Sequence, residues 1–91
     1  MSRKTRQALR AELFTDDPRC TYCRREITRF DESTLDHVHP VSRGGRNYRR
    51  NLALCCEVCN QHKANLTLTE WSDVLATMLQ SARQLEGSAA A

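Results

Sequence analysis

The chain lacks the features that would place it outside the cell or in a membrane. No stretch approaches the roughly 18–20 apolar residues of a transmembrane helix. The front, Met1-Ser2-Arg3-Lys4-Thr5-Arg6-Gln7, has basic residues with no apolar run behind them. That is not the pattern of a secretory signal, and a cytoplasmic protein with no membrane association is expected. There are no internal repeats and no sign of a second domain, so residues 1–91 read as one domain. Charge of either sign is scarcely in surplus: fourteen Lys and Arg against eleven Asp and Glu leave +3. That excess is too small to name a partner by itself. Length is also short, and a chain of this size buries only about 60–65% of its unfolded surface, a marginal core without a metal or a disulfide.

Cysteine, in contrast, is plentiful. Five cysteines without a signal sequence argue for reduced, metal-bound thiolates over a disulfide framework. Cys20-x-x-Cys23 and Cys56-x-x-Cys59 are two chelating turns in which both thiolates can face one ion. Together they supply the four sulfurs of a closed structural zinc site. Residues 24–55 lie between the turns, a longer gap than in a compact zinc ribbon, so a segment with its own role is inserted there. The alternative, a redox pair in a thioredoxin-like fold, needs more chain than this. Cys55 is left over and reads as a small buried hydrophobe.

The chain divides into a helix with its stop (1–17), a central segment (18–64), a second long helix (67–86) and a tail (87–91). Ala8, Leu9, Leu13 and Phe14 recur at roughly helical spacing between Lys4 and Thr15, and Asp16-Asp17-Pro18 ends that helix. Arg24 to Ser33 is polar, anchored by Ile27 and Phe30, and reads as a loop or weak strand. Thr34–Val38 and Asn51–Cys55 read as paired strands joined through a loop that Pro40 and Gly44-Gly45 force open. Glu57 to Ala64 is expected to be a short helix carrying Cys59, Asn60 and Lys63.

In the last helix Thr67 and Glu70 fit a capping box, and Gly87 is a C-terminal stop. Leu68, Trp71, Leu75, Met78, Leu79, Ala82 and Leu85 form an apolar stripe. Its simplest role is core, with Trp71 a packing anchor; the functional alternative is self-association or a protein partner. Arg3, Lys4, Arg6 and Arg10 cluster at the front, and Arg43, Arg46, Arg49 and Arg50 in the middle. Such clusters suit a phosphate backbone, although a solvated surface gives the same pattern.

Asp36-His37-Val38-His39-Pro40-Val41-Ser42-Arg43-Gly44-Gly45, then Asn51-Leu52, then Cys56-x-x-Cys59-Asn60-x-x-Lys63 closely resembles the HNH endonuclease motif in its cysteine-flanked form. The resemblance covers about Cys20 to Lys63 and neither terminal helix. It implies a small α+β fold: a ββα-metal (His-Me finger) core stapled by a four-cysteine zinc, with flanking N- and C-terminal helices. It further implies that His37 is the general base, that Asp36 and Asn60 ligate a catalytic divalent ion, and that Asn51 orders the loop and helps orient the base. DNA is the implied substrate.

The chemistry of these residue types fits those roles. Phosphodiester hydrolysis needs a base for water, and an imidazole titrates near neutral pH. A carboxylate and an amide oxygen suit Mg²⁺ or Mn²⁺. Neighbours on a regular strand point to opposite faces, so Asp36 and His37 share a site only if the strand ends or twists there. His62 is an alternative to Asn60 at the metal. Arg43, Lys63 and His39 are candidates for substrate contact, the plainer readings being surface charge and a hydrogen-bonded histidine. Two other functions stay open: a zinc-stapled nucleic-acid-binding module without catalysis, and an accessory subunit of a larger nuclease or packaging machine.

Overall fold

The computed structural model describes the backbone of residues 1–90 and the side chains of residues 1–82. Helix α1 (Arg3–Asp16) opens with Ser2 as its cap, the hydroxyl accepting from the Thr5 N–H at 3.1 Å. It closes where Asp17 turns to extended backbone ahead of Pro18, as steric conflict with the proline ring requires. Leu9 is buried, while Leu13 and Phe14 lean on the core. Arg10 does not join a phosphate-facing cluster. Its Nη1 donates to the carbonyls of Phe30 (3.1 Å) and Ser33 (2.8 Å), and its guanidinium lies 4.1 Å from the Phe30 ring centroid. It ties α1 to the start of the sheet.

Residues 18–27 form a small knuckle. The Ile27 N–H donates to the Pro18 carbonyl (2.7 Å) and the Cys20 N–H to that of Arg25 (2.9 Å). Arg24 sits at φ 66°, the left-handed conformation that reverses the chain after the cysteine turn. The Thr21 N–H donates to the Leu54 carbonyl at 2.9 Å and fastens the knuckle to the sheet.

Strands β1 (Ser33–His37) and β2 (Leu52–Cys56) pair antiparallel, from Ser33 opposite Cys56 to His37 opposite Leu52. Both begin one residue away from the sequence-based boundary, β2 because Asn51 belongs to a 3-10 turn, Arg49–Asn51. Helix α2 (Glu57–Lys63) follows β2 without a spacer, capped by the Cys56 sulfur, which accepts from the Cys59 N–H at 3.4 Å. Strand, strand and short helix give the ββα arrangement, flanked by helices on both sides in sequence.

Helix α3 (Leu68–Ala90) starts with the expected capping box. Glu70 Oε1 accepts from the Thr67 N–H at 2.9 Å, and the Thr67 hydroxyl accepts from the Glu70 N–H at 3.4 Å. The helix does not stop at Gly87 but continues to Ala90. An interior glycine costs only about 1 kcal/mol against alanine, and Ser88 and two helical alanines, Ala89 and Ala90, follow it. Only part of the apolar stripe is core. Trp71 is fully buried and Leu75 and Met78 pack on the core, whereas Leu68 and Leu79 are 51% and 38% exposed. Leu85 lies outside the described side chains.

The core is Cys20, Ile27, Leu54, Cys55, Cys59 and Trp71. Cys20 and Cys59 also belong to the cluster of four sulfurs, so that cluster and the hydrophobic core are one structure. Tyr22 meets Trp71 edge to face, centroids 5.8 Å apart.

Candidate functional site

The knuckle and the N-terminus of α2 bring Cys20, Cys23, Cys56 and Cys59 together, their sulfur atoms all within 4.8 Å of one another. A tetrahedral zinc–thiolate site, with bonds of about 2.3 Å, needs sulfurs roughly 3.8 Å apart. The 4.0 Å between Cys23 and Cys56 is close to that. Burial, joined by the charge of neighbouring thiolates, raises the Cys59 and Cys23 thiols. At Cys20 burial acts the same way but is outweighed by backbone N–H groups of Cys23, Cys56 and Tyr22, and the thiol falls below its ordinary value. Four sulfurs so crowded ionise together when a cation holds them, and this donor set could hold structural zinc. Cys55 stands outside the cluster. It is fully buried beside the Thr34 hydroxyl (3.2 Å), and burial pushes its thiol up to about 12.

Asp36 lies on the same side of the molecule as the knuckle. It is 6% exposed, and its Oδ2 accepts from the Tyr22 hydroxyl (2.6 Å) and pairs with Lys63 Nζ (3.0 Å). Burial, then the hydrogen bond to Asp36, raises the Tyr22 phenol, so it stays a donor. Lys63 also donates to the His37 carbonyl at 2.9 Å. It has no exposed surface at all, which overturns its expected place at a phosphate. A buried ammonium is tolerated only with partners close by, and Lys63 has two on β1.

His37 ends β1, so the change of face that a regular strand imposes is relieved at that point. With the Asn47 amide oriented as in the structure, His37 Nε2–H donates to Asn47 Oδ1 at 2.6 Å. An amide oxygen only accepts, so in the neutral ring it is Nδ1 that carries the lone pair. Asn51 makes no hydrogen bond to the imidazole among the described residues. Its Oδ1 accepts from the His39 N–H (2.9 Å), and its Nδ2 donates to the carbonyls of His39 (3.1 Å) and Arg46 (2.9 Å). It ties the two ends of the loop together, and the contact to the ring comes from Asn47 instead. Gly45 closes the same loop: a Cβ there would sit 1.8 Å from the His39 carbonyl oxygen. Only glycine allows that approach.

Asn60 is half-buried on α2, three residues before Lys63 and therefore its neighbour on the helix surface. His62 is exposed on a different face, which disfavours it as the substitute ligand. His39 lies past the end of β1 and its Nε2 donates to the Arg43 carbonyl at 2.8 Å. Arg43 pairs with Glu70 at the start of α3, and Arg49 with Glu12 on α1 (2.7 Å). Half of the central arginine cluster is thus engaged with acids. Arg46 and Arg50 have no acidic partner among the described residues, and Arg50 stands 5.2 Å over the exposed Tyr48 ring.

Two contributors were not singled out from sequence. Asn47 gave no signal, because its contact spans a loop whose path is unknown beforehand. Tyr22 gave a weak one: a tyrosine inside a chelating cysteine turn that packs on the core has to find a partner for its hydroxyl. No helix among the described residues is long and apolar enough to cross a membrane.

No curated protein sequence matches the chain. The family model described as HNH endonuclease matches residues 20–66, just over half of the chain and the whole span from the first cysteine of the cluster to the end of α2. With that match, the sulfur cluster and the ββα arrangement, the chain belongs to the HNH endonuclease family.

Proposed function

We propose that this protein is a metal-dependent DNA endonuclease in which His37 activates water. The observation that carries the reading is the pairing of two differently prepared groups at the end of β1. His37 has one ring nitrogen tied to Asn47 and the other free to take a proton. Beside it, Asp36 is held by one oxygen while the other accepts no described hydrogen bond.

Asp36 and Asn60 would hold the divalent ion, Mg²⁺ or Mn²⁺, since both offer hard oxygen donors. When bound, such an ion supplies positive charge against the phosphate and the departing 3′ oxygen. The remaining work falls to this chain's own groups. His37 Nδ1 accepts the proton of the attacking water. Asn47 keeps the ring in the tautomer that leaves Nδ1 basic, and Asn51 fixes the loop that brings Asn47 there. Arg46 and Arg50, without acidic partners among the described residues and set on that loop, would meet phosphates, together with His39 and Arg43. A domain this small covers little DNA, so strong sequence selectivity by itself is not expected.

The test is relaxation of supercoiled plasmid by the zinc-loaded protein with Mg²⁺ or Mn²⁺, beside His37→Ala and an EDTA control. Cleavage that needs the ion and is abolished in His37→Ala supports the reading. DNA retained by the wild-type chain and never cut, under any ion, would make it a non-catalytic zinc-stapled module. Activity that appears only with a further protein present would make it an accessory subunit.

A further inference from the structure

The two oxygens of Asp36 have different surroundings. Oδ2 is filled by the Tyr22 hydroxyl and the Lys63 ammonium. Oδ1 accepts no hydrogen bond among the described residues, yet it is not one of the buried polar atoms left without a partner. It therefore reaches solvent, although the residue as a whole is only 6% exposed. A carboxylate clamped through one oxygen presents the other in a direction that the clamp decides.

The position of Tyr22 in the chain gives that clamp a second meaning. It lies inside the turn between Cys20 and Cys23, so the backbone that aims two thiolates also aims its ring. The ring is seated against Trp71, a residue with no exposed surface. Its hydroxyl then reaches Asp36, fourteen residues away in sequence, at 2.6 Å.

We infer that Tyr22 is a positioning residue that carries the geometry of the cysteine knuckle to a second metal site, by fixing Asp36 so that Oδ1 faces a hard divalent cation. This rests on Asp36 being a ligand of that cation, as in the endonuclease reading. Without the hydroxyl, Oδ2 keeps Lys63 alone, and the carboxylate swings about a torsion whose energy well is broad. The loss should fall on metal affinity first. Groups standing behind a metal ligand are commonly worth about 10–100-fold in affinity or activity.

The experiment uses the full, zinc-loaded chain and Tyr22→Phe, which keeps the ring and its packing. Mn²⁺ affinity is measured by electron paramagnetic resonance, together with zinc content, thermal unfolding, and plasmid cleavage across a range of Mn²⁺. Expected are one zinc per chain, a wild-type fold, Mn²⁺ binding weaker by roughly tenfold or more, and cleavage that is lost at low Mn²⁺ but recovers at saturation. In an Asp36→Asn background the same substitution should change Mn²⁺ affinity no further. Unchanged Mn²⁺ affinity overturns the inference, even if the variant unfolds at a lower temperature. So does loss of zinc or of the fold, since the hydroxyl would then serve the knuckle and not the second metal. Mn²⁺ bound by the wild type without cleavage, and weakened in Tyr22→Phe, would sink the endonuclease reading and leave this inference standing. Wild-type cleavage with unaltered Mn²⁺ affinity in the variant would do the reverse. Absence of Mn²⁺ binding in the wild type would overturn both.

Discussion

At the scale of single residues, two asparagines divide the work of one loop. Asn51 holds backbone: three hydrogen bonds to His39 and Arg46 join the loop's two ends. Asn47 holds the imidazole of His37. Asn47→Ala should therefore leave the fold and Mn²⁺ affinity unaltered and lower kcat by about 10–100-fold, the usual consequence of a catalytic group free to turn away from its geometry. Steady-state cleavage at saturating Mn²⁺ checks this, and an unchanged kcat would remove Asn47 from the site. A second residue-scale effect concerns stability. Ala64, just after α2, has φ 46° and ψ −119°, a conformation that costs a residue with a side chain about 1 kcal/mol more than glycine. Ala64→Gly should raise stability by about that much at the denaturant midpoint.

At the scale of elements, α2 is joined to β1 by one side chain. Lys63 forms an ion pair with Asp36, donates to the His37 carbonyl and is sealed from water. Lys63→Met removes the charge and keeps most of the stem, leaving the Asp36 carboxylate buried beside a methyl group. It should destabilise by about 3–5 kcal/mol, as when one partner of a buried pair is lost. Adding Asp36→Leu should return much of that stability without returning activity, because an apolar pair of similar volume satisfies the site. Urea unfolding of the single and double variants separates the two effects. Helix α3 is anchored differently, by its first turn: the Thr67–Glu70 box also carries Glu70 to Arg43 on the loop. The hydrogen bond from the Thr67 N–H, more than burial opposes it, holds the Glu70 carboxyl below its ordinary range.

At the scale of the whole molecule, stability and the sulfur cluster cannot be separated. Cys20 and Cys59 are core residues as well as candidate ligands, packed with Trp71, Leu54 and Ile27. Chelation of zinc should unfold the chain rather than loosen one corner, as in other small domains where metal binding free energy is folding free energy. Far-ultraviolet circular dichroism during chelator titration tests this, and a fully helical, cooperative apo form would refute it. Cys55→Ala is the control: with Cys55 outside the cluster, zinc content should stay at one per chain.

Much of this architecture is legible in the sequence because it depends on short-range rules. The paired cysteine turns, the Thr67–Glu70 box, the proline that ends α1 and the strand–loop–strand–helix order each follow from spacing or from the conformational limits of a few residues. The sequence also names Asp36, His37, Asn51 and Asn60 as a group. What it does not contain is the partner of each side chain. Lys63 and Arg10 look like surface cations until packing buries the first against β1 and lays the second over Phe30. Asn47 and Asn51 are interchangeable as letters, and only the closed loop assigns the ring to one and the backbone to the other. Sequence spacing fixes which groups are available within a turn or a strand. Contacts between residues ten to forty positions apart depend on how the elements pack, and that is where the tertiary structure alone decides.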